Sequence, residues 1–198
     1  MAMQNPFLDA VYARPTRRIM VFVDGENLVF RYQSMLRRGY VPRDDNLLHL
    51  PDVCVWHSSF TQLAQQHEIL RVTYYTYAVG DDARLKEVRE TIRRQIFGKH
   101  MASLLPNSLT PCVFKKSTRE QSGKGVDIKL AVDLLGHVYR RNVDSVLLLS
   151  GDGDYAPLIE EAQRGGVQVY LSAFSDGLNP ALRNIADQLY ELDGTTWK

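Results

Sequence analysis

Two apolar runs end abruptly at acidic residues, and this pattern constrains the fold more than any other feature of the 198-residue chain. Residues 19–23 run directly into Asp24, and residues 145–149 are followed within three residues by Asp152. Short unbroken apolar runs are typical of parallel strands that are buried on both faces. Ligands of open α/β sheets bind outside the carboxyl ends of such strands. The sequence therefore predicts that these acids share one edge of a sheet, provided that the two strands are neighbours.

The periodicity of the remaining chain predicts an alternation of strands and helices. The predicted strands span residues 19–23, 69–79, 111–115, 145–149, 167–171 and 188–192. The predicted helices span residues 27–38, 60–67, 81–100, 126–139, 155–164 and 180–185, and residues 40–58 are predicted to be irregular. This order predicts an α/β fold, with an open, mostly parallel sheet and helices on both faces.

Length and composition fit a single globular domain. A chain of 198 residues is enough for one α/β domain, and 44% hydrophobic residues can build its core. We assign residues 17–194 to this domain and residues 1–16 to an N-terminal extension. The formal net charge of +1 does not single out a nucleic-acid partner. Acids gathered in one pocket would still leave an excess of basic residues elsewhere on the surface.

The cysteine count and the hydropathy favour a protein of the cytoplasm. Cys54 and Cys112 have no metal-ligand spacing, and we expect two free thiols in a reducing compartment. No segment has the form of a signal peptide, and none approaches the roughly 18 apolar residues of a membrane span. We therefore expect a soluble cytoplasmic protein without a membrane partner. The sequence leaves the oligomeric state open, a homodimer included.

A third acid, Asp127, is predicted to lie in the first turn of a helix. The apolar stripe of that helix includes Leu130 and Ala131, and a step back by three or four residues reaches Asp127. A carboxylate on the inward side needs a partner, a proton or a metal ion. The alternative is an ordinary N-terminal acid favoured by the helix dipole. Asp133 lies about 120° further round the helix, which favours a supporting role over a ligand.

Convergence of Asp24, Asp127 and Asp152 would require a counter-charge. Two carboxylates about 5 Å apart repel by roughly 3 kcal/mol at an effective dielectric constant near 20. A divalent cation would remove this repulsion, and oxygen donors without a Cys/His cluster favour Mg²⁺ or Mn²⁺ over Zn²⁺. Asp154 is predicted to be a further ligand or a water-orienting group. Taken singly, Asp24 could instead be a helix cap, and Asp152 and Asp154 could be turn residues.

Several polar and basic residues are candidates for substrate binding. Asn27 would reach the same rim as Asp24 and bind a phosphate oxygen, or it would be a helix cap. Ser150 would bond to substrate or to a metal ligand, or it would be a turn hydroxyl. A basic stretch suggests a groove that tracks phosphates, although a solvated loop is the alternative. Its members include Lys116, Arg119 and Lys124.

Three of these segments, taken in order, resemble the NYN domain, a PIN-like nuclease group that includes LabA-type proteins. The segments are Asp24-Gly25-Glu26-Asn27, Lys124-Gly125-Val126-Asp127 with Asp133 beyond it, and Ser150-Gly151-Asp152-Gly153-Asp154. The resemblance covers roughly residues 18–192. It implies a PIN-like doubly wound fold and metal-dependent cleavage of RNA.

The resemblance also implies roles for individual residues. The acidic positions of the family fall on Asp24, Asp127 and Asp152, and also on Asp154, while Asn27 and Asp133 match further family positions. Tyr155 departs from the pattern, since phenylalanine is common there. Residues 37–60 and the N-terminal extension have no clear counterpart in the family, so they are candidates for setting substrate choice.

The leading interpretation is an endoribonuclease that depends on Mg²⁺ or Mn²⁺ and acts on single-stranded or loop RNA. Asp24, Asp127 and Asp152 would hold the metal ion. One alternative is a phosphatase of the haloacid-dehalogenase type, which needs a second aspartate two residues after the first; Glu26 stands there. Another alternative is an RNA-binding regulatory module that has kept the acids but lost useful turnover.

Overall fold

The computed structural model describes residues 17–98, 107–116 and 124–198. Its strands are Arg18–Asp24 (β1), Leu48–Leu50 (β2), Cys54–Trp56 (β3), Glu68–Val79 (β4), Thr110–Lys116 (β5), Ser145–Leu149 (β6), Gln168–Ala173 (β7) and Gln188–Glu191 (β8). Its α-helices are Gly25–Arg37 (α1), Asp82–Arg93 (α2), Lys124–Tyr139 (α3), Ala156–Arg164 (α4), Pro180–Ile185 (α5) and Asp193–Thr196 (α6). Short 3-10 helices span Ser58–Ala64 and Gly153–Tyr155.

Six strands form one parallel sheet in the order β5-β4-β1-β6-β7-β8. This arrangement confirms the predicted α/β fold. Strands β4 and β5 lie on one side of β1, and β6, β7 and β8 lie on the other, so the strand order reverses between β1 and β6. Val23 pairs with Leu149 at the ends of these two strands. Asp24 and Ser150 therefore leave the sheet side by side, at the place where ligands bind in such folds.

Side chains of β1 alternate between two apolar cores, one on each face of the sheet. Ile19, Val21 and Val23 pack in the core that includes α1, α2 and the β2–β3 hairpin. Met20 and Phe22 pack in the core that includes α3 and α4. Because helices cover both faces of the sheet, neither set of alternating side chains faces solvent. The strand is therefore an unbroken apolar run. The same layering holds the carboxyl end of β1 in a fixed position.

The predicted helix over residues 81–100 is wrong over residues 94–98, because α2 ends at Arg93; residues 99 and 100 lie outside the described residues. The chain there turns to pair with the segment that precedes β5. The amide of Phe97 donates to the carbonyl of Asn107 at 2.8 Å, and the amide of Leu109 donates to the carbonyl of Gln95 at 2.9 Å. Phe97 is buried by this pairing. A tertiary contact thus replaces helical hydrogen bonds that the apolar spacing alone had suggested.

Two other predictions also required correction. The helix expected over residues 60–67 is the 3-10 helix Ser58–Ala64, and the following chain enters β4 at Glu68. The irregular segment 40–58 contains the antiparallel β2–β3 hairpin. The buried hydroxyl of Tyr74 joins this hairpin to β4. It accepts a hydrogen bond from the amide of Val55 at 3.1 Å and donates one to the carbonyl of Val55 at 3.2 Å. Strands of three residues are too short for a periodic signal.

The other predicted elements agree with the structure to within two residues at each end. Cys54 is buried, Cys112 is half-buried, and both thiols are free. None of the helices in the described ranges is both long and apolar enough to cross a membrane. The proposed extension, residues 1–16, lies outside the described residues, and the domain limits stay a prediction.

Gly25 allows α1 to begin directly beside β4. A side chain at this position has no room, because a Cβ atom would lie 2.7 Å from the carbonyl oxygen of Tyr75 and would overlap the ring of Tyr74. The close approach of α1 to β4 thus depends on glycine at the first position of the helix.

We expect Gly25→Ala to lower the free energy of unfolding by about 2–3 kcal/mol, because the new methyl group meets backbone that cannot yield. Gly194→Ala is the matched control, since a Cβ atom there meets nothing within 4 Å. Urea denaturation of both variants checks this. Equal losses of stability in the two variants would contradict the tight contact at Gly25.

Candidate functional site

The side chain of Asp24 connects the elements that form the site. It stands at the end of β1 and only 3% of the residue is exposed. Its Oδ1 atom accepts from the amide of Asn27 at 3.0 Å, which caps α1, and its Oδ2 atom accepts from the Ser150 hydroxyl at 2.8 Å. Asp24 is therefore a helix cap and, at the same time, a link to the loop that follows β6.

The loop after β6 is held against α1 by a chain of hydrogen bonds. The Ser150 hydroxyl accepts from the amide of Asp152 at 3.1 Å, and the Asn27 side-chain carbonyl accepts from the amide of Gly151 at 3.1 Å. Asp152 in turn accepts from the amide of Asp154 at 3.0 Å. These bonds fix the backbone of the loop, while the side chains of Asp152 and Asp154 stay exposed.

Asp127 reaches the same region from the first turn of α3. Its Oδ1 atom accepts from the hydroxyl of Tyr155 at 3.2 Å, and much of its side chain is exposed. Tyr155 is buried and follows the acidic loop directly. The phenol therefore joins α3 to the loop after β6 and orients Asp127 towards Asp24 and Asp152.

These acids line one open pocket, which we name the acid pocket. It has a volume of about 210 Å³, and its walls come from both α1 and the acidic loops. The lining residues are Asp24, Glu26, Asn27, Phe30, Asp127 and Asp152. Within the described ranges, no three His, Cys, Asp or Glu side chains lie close enough together to form a compact metal-binding cluster. The three predicted metal ligands thus line the same pocket but do not form such a cluster.

Burial and like charges make this pocket electrostatically unbalanced. Burial raises the pKa of Asp24 to about 7; the bonds from Asn27 and Ser150 oppose this shift, and the charges of Asp127 and Asp152 add to it. Loss of solvent also raises the pKa of Asp127, and the charges of Glu26, Asp152 and Asp154 act in the same direction, against the bond from Tyr155. A cation in the pocket would relieve both carboxyl groups.

The predicted basic groove is only partly described by the structure. Lys116 ends β5, and its Nζ atom lies 2.9 Å from Glu26 Oε1 and 5.2 Å from the centre of the Tyr77 ring. Its charge is thus shared with an acid of the pocket wall. Arg119 and the side chain of Lys124 lie outside the described residues. Their role in substrate binding stays a prediction.

Asp133 lies apart from the acid pocket. Its Oδ2 atom accepts from the hydroxyl of Tyr75 at 2.8 Å, and its Oδ1 atom accepts from Lys129 at 2.5 Å. Tyr75 is buried in β4. Asp133 therefore joins α3 to the sheet, which is compatible with the supporting role predicted for it.

Three residues that our sequence reasoning had not selected also build the site. Tyr155 orients Asp127, and the hydroxyl of Tyr77 accepts from the amide of Val126 at the start of α3, at 3.1 Å. The amide of Asn179 donates to the carbonyl of Gly151 at 3.0 Å and supports the acidic loop from behind. For Tyr155 a signal existed, since a tyrosine replaces the common phenylalanine. Nothing in the spacing indicated the other two.

A family model described as the NYN domain matches residues 18–193. The chain belongs to the NYN domain family. This family is part of the PIN-like nuclease superfamily. The match spans both acidic loops and α3, so the acid pocket lies wholly within the family domain.

Individual relatives add information on the fold but name no activity. An uncharacterized protein of Methanocaldococcus jannaschii is 32% identical over 71 residues, which are 36% of this chain and 30% of that protein. The match thus spans less than a third of that relative. The crystal structure of a Vibrio parahaemolyticus protein of unknown function superimposes with a TM-score of 0.61 at 20% identity, over 94% of this chain and 99% of that one. This likeness supports the fold alone.

Ser150→Ala should lower the free energy of unfolding by about 1–3 kcal/mol, because it leaves Asp24 Oδ2 and the amide of Asp152 without a partner. Ser172→Ala is the control. Ser172 is equally buried, in β7, and its hydroxyl finds no partner among the described residues. Its replacement should be neutral or slightly stabilising. Urea denaturation compares the two, and equal losses would contradict the link role of Ser150.

Asp24→Asn should stabilise the metal-free protein, and more so at higher pH. The pKa of Asp24 is raised from 3.8 to about 7 on folding, so below pH 4 both states are protonated and the charge costs nothing. Between pH 4 and 7 the unfolded chain ionises first, and wild-type stability falls; the full cost, roughly 4 kcal/mol, is present above pH 7.

Denaturation in a chelator at pH 5 and pH 8 measures this effect. The stability of Asp24→Asn relative to wild type should rise by about 2.6 kcal/mol between the two pH values. A difference that does not change with pH would contradict the raised pKa of Asp24.

Proposed function

We propose that this protein is a Mg²⁺- or Mn²⁺-dependent endoribonuclease of LabA type, which cleaves single-stranded or loop RNA in the acid pocket. One observation carries the proposal: Asp24, Asp127 and Asp152 line a single pocket where the strand order reverses. Membership of a PIN-like nuclease family agrees with this position. Hydrolysis of a phosphodiester bond needs positive charge near the phosphate, and a pocket of carboxylates supplies it only through a bound cation.

The donor set of the acid pocket fits a hard divalent cation. All of its candidate ligands are oxygen atoms, which Mg²⁺ and Mn²⁺ prefer. Mg²⁺ commonly uses one or two carboxylates and completes its shell with water and phosphate oxygens. Acids that share a pocket without forming a compact cluster suit this mode of binding. Asp24, Asp127 and Asp152 would hold the ion, one or two of them directly and the others through its water molecules, and the ion would polarise the phosphodiester and lower the pKa of water.

The protein's own groups then orient the reactants. Ser150 and the amide of Asn27 hold the Asp24 carboxylate, and Tyr155 holds that of Asp127. The carbonyl of the Asn27 side chain is already occupied by the amide of Gly151, so its NH₂ group is the one that would donate to a phosphate oxygen. Asp154 is not among the residues that line the acid pocket, but its charge raises the pKa of Asp127, and it would orient a water molecule.

The phosphatase alternative receives no support from this geometry. Glu26, which would have to act as the second acid, forms an ion pair with Lys116. Asp24, which would have to be the nucleophile, is buried and accepts a hydrogen bond at each oxygen. The RNA-binding regulatory module differs from the nuclease only in turnover, so an activity assay separates these two.

The test is cleavage of a labelled single-stranded RNA with Mg²⁺, with Mn²⁺ or with a chelator. We expect wild-type protein to cut RNA only with metal. Asp24→Asn and Asp152→Asn should each lower the cutting rate by a factor of about 100 or more. This magnitude follows because even the partners of metal ligands typically contribute 10- to 100-fold.

The control variant is Asp45→Asn, which removes an exposed acid outside the acid pocket. It should cut at the wild-type rate. The nuclease proposal fails if wild type shows no metal-dependent cutting, or if the two pocket variants cut as fast as Asp45→Asn. RNA binding without cutting would instead identify the regulatory module.

A further inference from the structure

Phe30 is an exposed aromatic residue in α1. Its neighbours in α1, Val29 and Tyr32, are 3% and 2% exposed, whereas Phe30 is 55% exposed. Single exposed hydrophobic residues are common on protein surfaces. Phe30 differs from these because it forms part of the wall of the acid pocket. Core packing therefore does not account for its position.

A second and larger opening adjoins the acid pocket, and we name it the side cleft. Its volume is about 510 Å³, within the range of roughly 300–1,000 Å³ that is typical of small-molecule sites. Glu26 and Phe30 line both openings, so the two adjoin across these side chains. The acid pocket is the smaller of the two, at about 210 Å³.

The chemistry of the side cleft fits a nucleobase. Phe30 and Val79 contribute exposed apolar surface, and Gln33 can both donate and accept hydrogen bonds. The two cations of the cleft are each paired with an acid: Lys116 with Glu26 at 2.9 Å, and Arg84 with Glu87 at 2.7 Å. The lining also includes a further acid, Asp52. The charge of Asp52 and the apolar walls favour a flat, neutral, hydrogen-bonding group over a second phosphate.

One face of the Phe30 ring is already in use. The Cζ atom of Arg31 lies 5.2 Å from the ring centre, as in a cation–π contact. More than half of Phe30 remains exposed, so ring surface is open to a ligand. Proteins that bind single-stranded nucleic acids commonly stack bases on exposed aromatic rings of this kind.

We propose that the side cleft binds one unpaired nucleobase of the substrate, stacked on Phe30, while the adjoining phosphodiester lies in the acid pocket. This inference rests on the proposed function and explains why the substrate would be single-stranded RNA. A base within a duplex is paired and stacked, so it cannot enter a cleft beside the backbone. Selection of single-stranded RNA follows from the wall that the two openings share.

The first test reads base binding without cleavage. The chain has two tryptophans, Trp56 and Trp197, and both are buried. The variant Phe30→Trp would therefore place an exposed fluorophore at the shared wall. With Ca²⁺ in place of Mg²⁺, so that a cation can still occupy the acid pocket, single-stranded RNA should quench its emission in a saturable way, and a blunt RNA duplex at the same concentration should not. Wild-type emission, from the buried tryptophans, should change little.

The second test is kinetic. Phe30→Ala should raise the KM for single-stranded RNA about 10- to 100-fold, which corresponds to the loss of one stacked base, with a smaller change in kcat. Tyr139→Ala is the matched control, because Tyr139 is an aromatic residue of similar exposure, 59%. It lies twelve residues after Asp127 in α3, or roughly 18 Å along the helix. Its KM should equal that of wild type.

Substrates with a single abasic nucleotide locate the bound base. At one position next to the cleaved bond, loss of the base should raise the wild-type KM by about the same factor as Phe30→Ala. In Phe30→Ala the same abasic substrate should cause no further increase. If the increases in KM from the abasic nucleotide and from Phe30→Ala multiply at every position of the substrate, the stacking contact is overturned.

The outcomes separate this inference from the proposed function. Absence of metal-dependent cutting by wild type contradicts the nuclease, whereas quenching of the Phe30→Trp variant by single-stranded RNA would still establish the base site. Metal-dependent cutting, together with Phe30→Trp emission that does not respond to single-stranded RNA, overturns the base site and leaves the nuclease intact. Should Phe30→Ala fail to fold, the quenching experiment decides the matter alone, since Phe30→Trp keeps an aromatic ring at the position.

Discussion

The buried carboxylate of Asp24 is the interaction on which the rest of the site depends. It ends the central strand, caps α1 and accepts the Ser150 hydroxyl, so one side chain joins three elements. A charge in such a place is costly, and the raised pKa of Asp24 expresses that cost. The fold tolerates it because hydrogen bonds hold both oxygens. A cation in the acid pocket would pair with this buried charge, so the free-energy cost of the charge would favour binding of the cation.

The strands and the neighbouring acids could be predicted from sequence, and the contacts around them could not. Residues 146–149 are an unbroken apolar run, so their burial in a strand, and the place of the acids beyond it, could be predicted from the pattern. The bond from Tyr155 to Asp127 and the ion pair of Lys116 with Glu26 join segments that are distant in the chain. The end of α2 at Arg93 depends likewise on pairing with residues 107–109. Such effects are tertiary, and no local pattern carries them.

In the proposed function, the two adjoining openings would have different roles, the acid pocket in catalysis and the side cleft in substrate recognition. The acid pocket is lined by four acids, and the side cleft has apolar surface and two cations that are paired with acids. Phe30 and Glu26 belong to both walls, so a base in the side cleft would lie next to a phosphate in the acid pocket. Part of the side cleft is formed by residues 51–53, within a segment for which the family resemblance offered no clear counterpart. Substrate preference can thus vary while the acids stay unchanged.

A crystal structure grown with Mn²⁺ at neutral pH tests the central claim most directly, because the ion is located by its anomalous scattering. We predict one peak in the acid pocket, within bonding distance of an Asp24 oxygen and next to Asp127 and Asp152. The same crystals of Asp24→Asn should lack the peak. A fully occupied ion elsewhere, or an empty acid pocket in crystals of protein that cuts RNA with Mn²⁺, would contradict metal binding in the acid pocket.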